Sequence, residues 1–284
     1  MKIIHLSDLH YRKSESKKTK SLVEHILNHY SEEKEKPLII ITGDLVESPK
    51  SERMEGCFNH LNLLKDAGHD ILICPGNHDV KNTRVINLLL KKYNVHGATY
   101  SSKAPIEFNN VFSPLLPKKS WDLPDGQNDL LHFPRINKYG NYYFIGLNSN
   151  NKEDYPTGTI GTEQLEQLQS QIKRIKSESS DNKIIVYLHH NIFWFDPGII
   201  KTKIDGNWLR LTDRYDLRHI LKDQVDAVMF GHFHTNLDYS KRAEKLGIPL
   251  INLAGNCTLN SGGHINWYEL DLENKTVSPY KKAI

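Results

Sequence analysis

Five apolar runs in this chain each give way, within a few residues, to side chains of one chemical kind. Ile3-Ile4-His5-Leu6 leads into Asp8-Leu9-His10, Leu38-Ile39-Ile40-Ile41 into Gly43-Asp44, and Ile71-Leu72-Ile73-Cys74 into Gly76-Asn77-His78-Asp79. Further on, Ile184-Ile185-Val186-Tyr187-Leu188 leads into His189-His190, and Ala227-Val228-Met229-Phe230 into Gly231-His232-Phe233-His234. Short apolar runs bounded by Gly, Pro or polar residues, with helical patterns between them, are the signature of buried strands in an α/β domain. Functional groups in such folds collect at the carboxyl ends of strands, so five segments far apart in sequence can converge on one rim.

The segments between the runs fit this reading. Leu22, Val23, Ile26, Leu27 and Tyr30 recur with helical spacing before Pro37, and Met54, Phe58, Leu61 and Leu64 do so before Gly68. A third helical stripe runs through Leu165, Leu168, Ile172 and Ile175, with Thr162 as its expected N-cap and Glu163 in the first turn. From about residue 96 to 140 the periodicity fails: five prolines punctuate a stretch carrying Phe108, Phe112, Trp121 and Phe133. A loop-rich insertion is expected there, either packing on the body or covering substrate. Phe193 to Tyr215, with Trp194, Phe195, Trp208 and Arg210, has the same character. The closing third reads as strands at Pro249 to Leu253, Ile265 to Leu272 and Thr276 to Tyr280.

At 284 residues the chain is long enough for one large domain, and a single domain over 1–284 is expected. Lys and Arg number 37 against 34 Asp and Glu, too small an excess to announce a nucleic-acid or membrane partner. The local basic cluster Arg12, Lys13, Lys17, Lys18 and Lys20 reads as a solvated helix start, with Arg12 as the member placed to face a substrate phosphate. Cys57, Cys74 and Cys257 lack metal-ligand spacing and suit a reducing compartment, with core packing expected for Cys57 and Cys74. No apolar segment is long enough to span a bilayer, and the chain opens on a strand pattern rather than a signal sequence; a cytoplasmic location is expected.

The chemistry of the five segments follows from their donors. Asp, Asn and His offer oxygen and imidazole nitrogen without thiolate, which suits Mn, Fe, Zn or similar divalent ions in a reactive site rather than a structural zinc site. Two ions about 3.5–4 Å apart need a shared ligand, and Asp44 is the natural bridge. Asp8 and His10, like His232 and His234, are alternate residues, and alternate residues of an extended backbone face the same way.

With these motifs the chain resembles the calcineurin-like metallophosphoesterases over most of its length, from Asp8 to His234; Gly76-Asn77-His78-Asp79 is the most specific element. The resemblance implies a four-layer α/β/β/α sandwich of two mixed sheets flanked by helices. It implies two divalent cations, one held by Asp8, His10, Asp44 and His234 and the other by Asp44, Asn77, His189 and His232. His78 would stabilise the transition state or protonate the leaving oxygen, and Glu47, three residues after the bridging Asp, would orient His78. His190, beside a ligand, would serve the second coordination sphere or the substrate.

Substrate class rests on wording around the motifs. Protein phosphatases and dinucleoside polyphosphatases of this superfamily carry Asp-Arg-Gly where this chain has Glu47-Ser48-Pro49, and purple acid phosphatases place a tyrosine soon after the bridging Asp where it has Leu45-Val46-Glu47. Gly43-Asp44-Leu45-Val46 and Gly76-Asn77-His78-Asp79 are most similar to the phosphodiesterases of cyclic nucleotides and related small diesters. The expected activity is two-metal hydrolysis of a small phosphodiester; the alternatives are a phosphomonoesterase, a nuclease, or a non-catalytic metal-binding scaffold. The near-balanced charge argues against the nuclease.

Overall fold

The computed structural model describes residues 1–80, 103–116, 133–150, 157–193, 210–234, 237–258 and 266–281. A strand covered on both faces has to be apolar throughout. Accordingly β1 (Lys2–Leu6), β2 (Leu38–Thr42) and β3 (Ile71–Cys74) are buried at every position but Lys2. They pair in parallel, Ile4 opposite Ile39 and Ile40 opposite Leu72. A second group comprises β4 (Arg135–Tyr139), β5 (Tyr142–Gly146), β6 (Lys183–Tyr187), β7 (Ala227–Phe230) and β8 (Leu250–Leu253), in that spatial order. It is parallel except where β4 meets β5. The chain then returns to the first sheet, where β9 (Trp267–Asp271) pairs antiparallel with β1 and β10 (Thr276–Tyr280) antiparallel with β9, giving the order β10-β9-β1-β2-β3.

The layering can be read from alternation along the second sheet. Phe144, Ile185, Tyr187, Ala227 and Met229 belong to one core, shared with β1 to β3. Their neighbours Ile145, Ile184, Val186, Val228 and Phe230 belong to another. One face of the second sheet therefore packs on the first sheet and the other on helices. The first core is closed by α1 (Ser16–His29) and α2 (Ser51–Asp66) through Leu22, Val23, Ile26, Met54, Leu61 and Leu64. The second core is closed by α5 (Thr162–Glu178), α6 (Arg214–Leu221) and α7 (Ser240–Leu246). The result is the four-layer arrangement, helices outside two mixed five-stranded sheets. All three cysteines are buried and unbridged.

Three details differ from the sequence reading. Within 96–140, Ala104–Phe112 is a regular helix (α4) with Pro105 in its first turn, where proline is tolerated, and Arg135–Tyr139 is a strand. Phe108 and Phe112 are fully buried, with Phe112 against Phe58 of α2, so this part of the insertion is core rather than irregular loop. Proline masked its helical period; the possible covering role falls on 96–102 and 117–132, and with Trp121, Trp194, Phe195 and Trp208 it lies outside the described residues. The N-cap of α5 is Gly161, not Thr162; Asp213 accepts the Ile160 and Gly161 N–H groups from across the fold. The three strands of the closing third are present, with α7 before them.

Between the sheets a polar bridge crosses the apolar layer. His5 of β1 accepts a hydrogen bond from Asn252 Nδ2 of β8 at 2.7 Å on Nδ1, so its Nε2–H donates to Thr42 Oγ1 at 3.0 Å. Burial drives its pKa down to about 3, only partly opposed by Asp8. The folded protein holds His5 neutral while the unfolded chain protonates it below its ordinary value of about 6.5, so stability is present above pH 6.5 and lost as pH falls toward 3. His5→Gln should cost less stability at pH 5 than at pH 7, the gap narrowing by about 2 kcal/mol, as read by urea denaturation at the two values.

Candidate metal centre

β1, β2, β3, β6 and β7 all end at one rim, and the loops leaving them carry the candidate ligands. The strands stop before the ligands do: β1 ends at Leu6 and β7 at Phe230. Asp8, His10, Asp44, His232 and His234 all have positive φ, between 45° and 76°. Left-handed backbone, not the alternation of an extended strand, therefore turns Asp8 with His10 and His232 with His234 inward. That corrects the geometric part of the sequence reading. L-residues occupy this region at a cost of about 1–2 kcal/mol each, so surrounding contacts have to enforce it. They do: Asp8 N donates to Gly43 O, His10 N to Asp44 O and Tyr11 N to Leu45 O, each at 2.9–3.0 Å, which zips two ligand loops together.

Each carboxylate is divided between two tasks. Asp8 Oδ2 accepts the His232 N–H at 3.0 Å, leaving Oδ1 3.2 Å from His234 Nε2 and 3.9 Å from His10 Nε2. Asp44 Oδ1 accepts the His78 N–H at 2.8 Å, leaving Oδ2 3.4 Å from His189 Nε2 and 3.8 Å from His10 Nε2. Asp8, His10, Asp44 and His234 form one group of donors within 4.8 Å of one another, and Asp44, His189 and His232 a second. Asn77 Oδ1 joins the second, 2.9 Å from His189 Nε2. All seven proposed ligands meet, with Asp44 common to both groups.

The donors fit cations. His189 Nδ1–H donates to the Thr42 carbonyl at 2.7 Å, which orients the ring and turns Nε2 toward the centre, where a cation would displace its proton. Asp8 Oδ1 and His232 Nε2 are buried polar atoms without a hydrogen-bond partner, and His10 Nε2 and His234 Nε2 stand 2.8 Å apart. Acceptor atoms converging in this way suit a cation among them. Burial alone would lower the pKa of His189; the Asp44 carboxylate reverses that and takes it to about 9. Burial would raise Asp44, and His189 and His78 hold it well below the usual carboxylate range. In both cases positive charge is favoured at the point where the lone pairs converge.

Space in the centre is set by glycine. A Cβ on Gly76 would fall on Asp44 N and Oδ1, and one on Gly43, where φ is +85°, would press on Gly76 and His189 Nδ1. Asp79 had no role in the sequence reading, yet it ties this region together: fully buried, it accepts Val46 N–H at 3.0 Å and Gly76 N–H at 2.8 Å. Burial and the Asp44 charge push it up to about 8. Its position inside Gly76-Asn77-His78-Asp79 was the available signal. Asn77–Val80 forms a one-turn helix (α3) that begins at a ligand.

His78 and Glu47 are together but not as expected. His78 Nδ1–H donates to the backbone oxygen of Glu47 at 2.9 Å, so the peptide orients the ring and Nε2 faces Asp44 Oδ2 at 4.0 Å. The Glu47 carboxylate, which lies close to both His10 and His78, engages Arg12 Nη2 at 2.8 Å and faces His10 Nδ1 at 3.4 Å. Burial would raise its pKa, and the nearby His10 ring and Arg12 guanidinium bring it down to about 2. His190 is buried beside Gly158, with Nδ1 2.7 Å from Ser149 Oγ and its ring against His232, so it supports ligands from behind.

Residues 1–236 match the family model of the calcineurin-like phosphoesterases, and the chain belongs to that family, whose members are metal-dependent phosphoric ester hydrolases. No curated protein sequence matches it. Among solved structures it is similar to a purple acid phosphatase from yellow lupin (Lupinus luteus) seeds, with 14% identity, a TM-score of 0.49 and coverage of 82% of this chain and 38% of that one. The NAD nucleotidase of Haemophilus influenzae has 14% identity and a TM-score of 0.47 over 99% of this chain and 49% of its own. The phosphopantetheinyl hydrolase of Mycobacterium tuberculosis has 11% identity and a TM-score of 0.44 over 83% of each chain. The chain thus spans about two fifths of the phosphatase and half of the nucleotidase. Among the described residues no helix is long and apolar enough to cross a membrane.

Because the Gly76 position admits no side chain, Gly76→Ala should move the Asp44 carboxylate and weaken Mn²⁺ binding on the order of 10–100-fold, as measured by calorimetric titration of the folded variant.

Proposed function

We propose that the chain is a two-metal phosphodiesterase that hydrolyses a small phosphodiester such as a cyclic nucleotide. The observation that carries the reading is the single oxygen, Asp44 Oδ2, that faces both donor groups, 3.4 Å from His189 and 3.8 Å from His10. A carboxylate oxygen placed in this way is what a pair of closely spaced cations requires. When bound, such a pair supplies a nucleophile from water near neutral pH and stabilises charge developing on phosphoryl oxygens.

The chain's own groups account for the remaining tasks. Asp8, Asp44 and Asn77 present oxygens whose directions are fixed by backbone hydrogen bonds or by a one-turn helix, and His10, His189, His232 and His234 present ring nitrogens. His78 spends Nδ1–H on the Glu47 carbonyl and so presents Nε2 toward the centre, the atom from which a proton can pass to the leaving oxygen. The diester preference is supported by the Gly43-Asp44-Leu45-Val46 and Gly76-Asn77-His78-Asp79 wording and by Glu47-Ser48-Pro49 in place of Asp-Arg-Gly. The metals themselves are proposed to be Mn, Fe or Zn on the oxygen and nitrogen donor set.

The test is turnover of a chromogenic phosphodiester beside its monoester by protein stripped of metal and reloaded with Mn²⁺. Diester turnover that needs metal and disappears in Asp44→Asn is expected; a clear monoester preference would reassign the substrate. His78→Ala should retain metal and lose roughly 10²–10⁴-fold in kcat, whereas Asp44→Asn should lose more and bind fewer ions. Metal binding without turnover of any phosphoester would favour the scaffold alternative.

A further inference from the structure

Glu47 contributes three contacts from one residue: its carbonyl to His78, one carboxylate oxygen toward His10 and the other to Arg12. The register between the two ligand loops puts these groups side by side. Tyr11 and Val46 form a bridge that continues the pairing of β1 and β2 past the ligands, and Glu47 N donates to Tyr11 O at 3.2 Å. His10 and Arg12, on either side of Tyr11, are thereby brought to the same glutamate. His10 is 10% exposed, Glu47 28% and Arg12 46%, so the three lead from the donor cluster to its mouth.

We infer that Glu47 is a positioning residue that fixes His10 for cation binding and holds Arg12 over the mouth, where Arg12 takes an anionic oxygen of the substrate's phosphate. The inference rests on the proposed phosphoester reading of the same site. Two physical steps support it. His10 can offer Nε2 to a cation only in the tautomer with a proton on Nδ1; that atom is buried without a well-aligned hydrogen bond, and Glu47 Oε2 is the acceptor it faces. Arg12 carries five N–H donors in a rigid fork, so contact of one Nη with Glu47 leaves a fork geometry suited to phosphate oxygens on a side chain that is nearly half exposed. An isolated surface ion pair would explain Arg12 with Glu47, but not the second oxygen of the same carboxylate turned inward to His10.

Calorimetric titrations of the full chain, first with Mn²⁺ and then with inorganic phosphate on the Mn²⁺-loaded protein, separate the two roles. Glu47→Ala should weaken Mn²⁺ binding by about 10–100-fold, and Glu47→Gln, which keeps an acceptor oxygen, should recover part of it. Arg12→Ala should leave Mn²⁺ binding unchanged and weaken phosphate binding and raise KM by about 10–100-fold, with Arg12→Lys recovering part. Unchanged Mn²⁺ affinity in Glu47→Ala overturns the positioning role. Unchanged phosphate affinity in Arg12→Ala, or no phosphate binding by the parent protein, overturns the role of Arg12. Metal-dependent turnover that Arg12→Ala leaves unaltered would remove the role of Arg12 and keep the proposed activity; Arg12-dependent phosphate binding without turnover would do the reverse.

Discussion

The hydrogen bond from His189 Nδ1 to the carbonyl of Thr42 joins the end of β6 in one sheet to the end of β2 in the other. Its counterpart runs between Asp8, after β1, and the His232 amide, after β7. The sheets meet face to face through apolar side chains, which specify contact area but little about relative slide. These two buried polar links set the rim to within hydrogen-bond tolerance. Because His189, Asp8 and His232 are also proposed ligands, the same bonds that register the sheets aim their donors at one another.

That dependence explains why strain is concentrated at the centre. Five of the seven proposed ligands adopt left-handed backbone, which a strand or helix would never supply. The conformation holds because the loops are fastened to one another by the Asp8–Gly43, His10–Asp44 and Tyr11–Leu45 amide bonds, and by Asp79 beneath Val46 and Gly76. Glycine at 43 and 76 leaves the room that the Asp44 carboxylate fills. These fastenings hold the donors directed at one point, where positive charge is favoured.

Proton placement in the centre is decided largely by main-chain carbonyls. Thr42 O and Glu47 O each take an imidazole N–H and free the other ring nitrogen for chemistry. Glu47 divides its contacts between side chain and backbone: its carboxylate reaches Arg12 and His10, while its peptide oxygen makes the bond that orients His78. Side-chain identity alone placed Glu47 with His78; the atom that makes the contact was a matter of backbone path.

Much of this protein was legible in the sequence. Apolar runs ending in Asp, Asn and His marked the five strands and the donors that gather at their ends, since burial on both faces demands uninterrupted Ile, Leu and Val, and donor chemistry is a property of residue type. The stripes of α1, α2 and α5 were legible for the same reason, through their 3.6-residue period. The helix Ala104–Phe112 was hidden because a proline in its first turn and another just after it interrupt a stripe of only about two and a half turns, and the cap of α5 because its acceptor, Asp213, lies some fifty residues away. The left-handed turns of the loops after β1, β2 and β7, the division of each carboxylate between an amide and the centre, the bond from Asp79 and the partners of Glu47 were decided by tertiary structure alone. Each depends on distances between loops from different strands, and a sequence fixes which groups exist but not how close the packing of two sheets brings them.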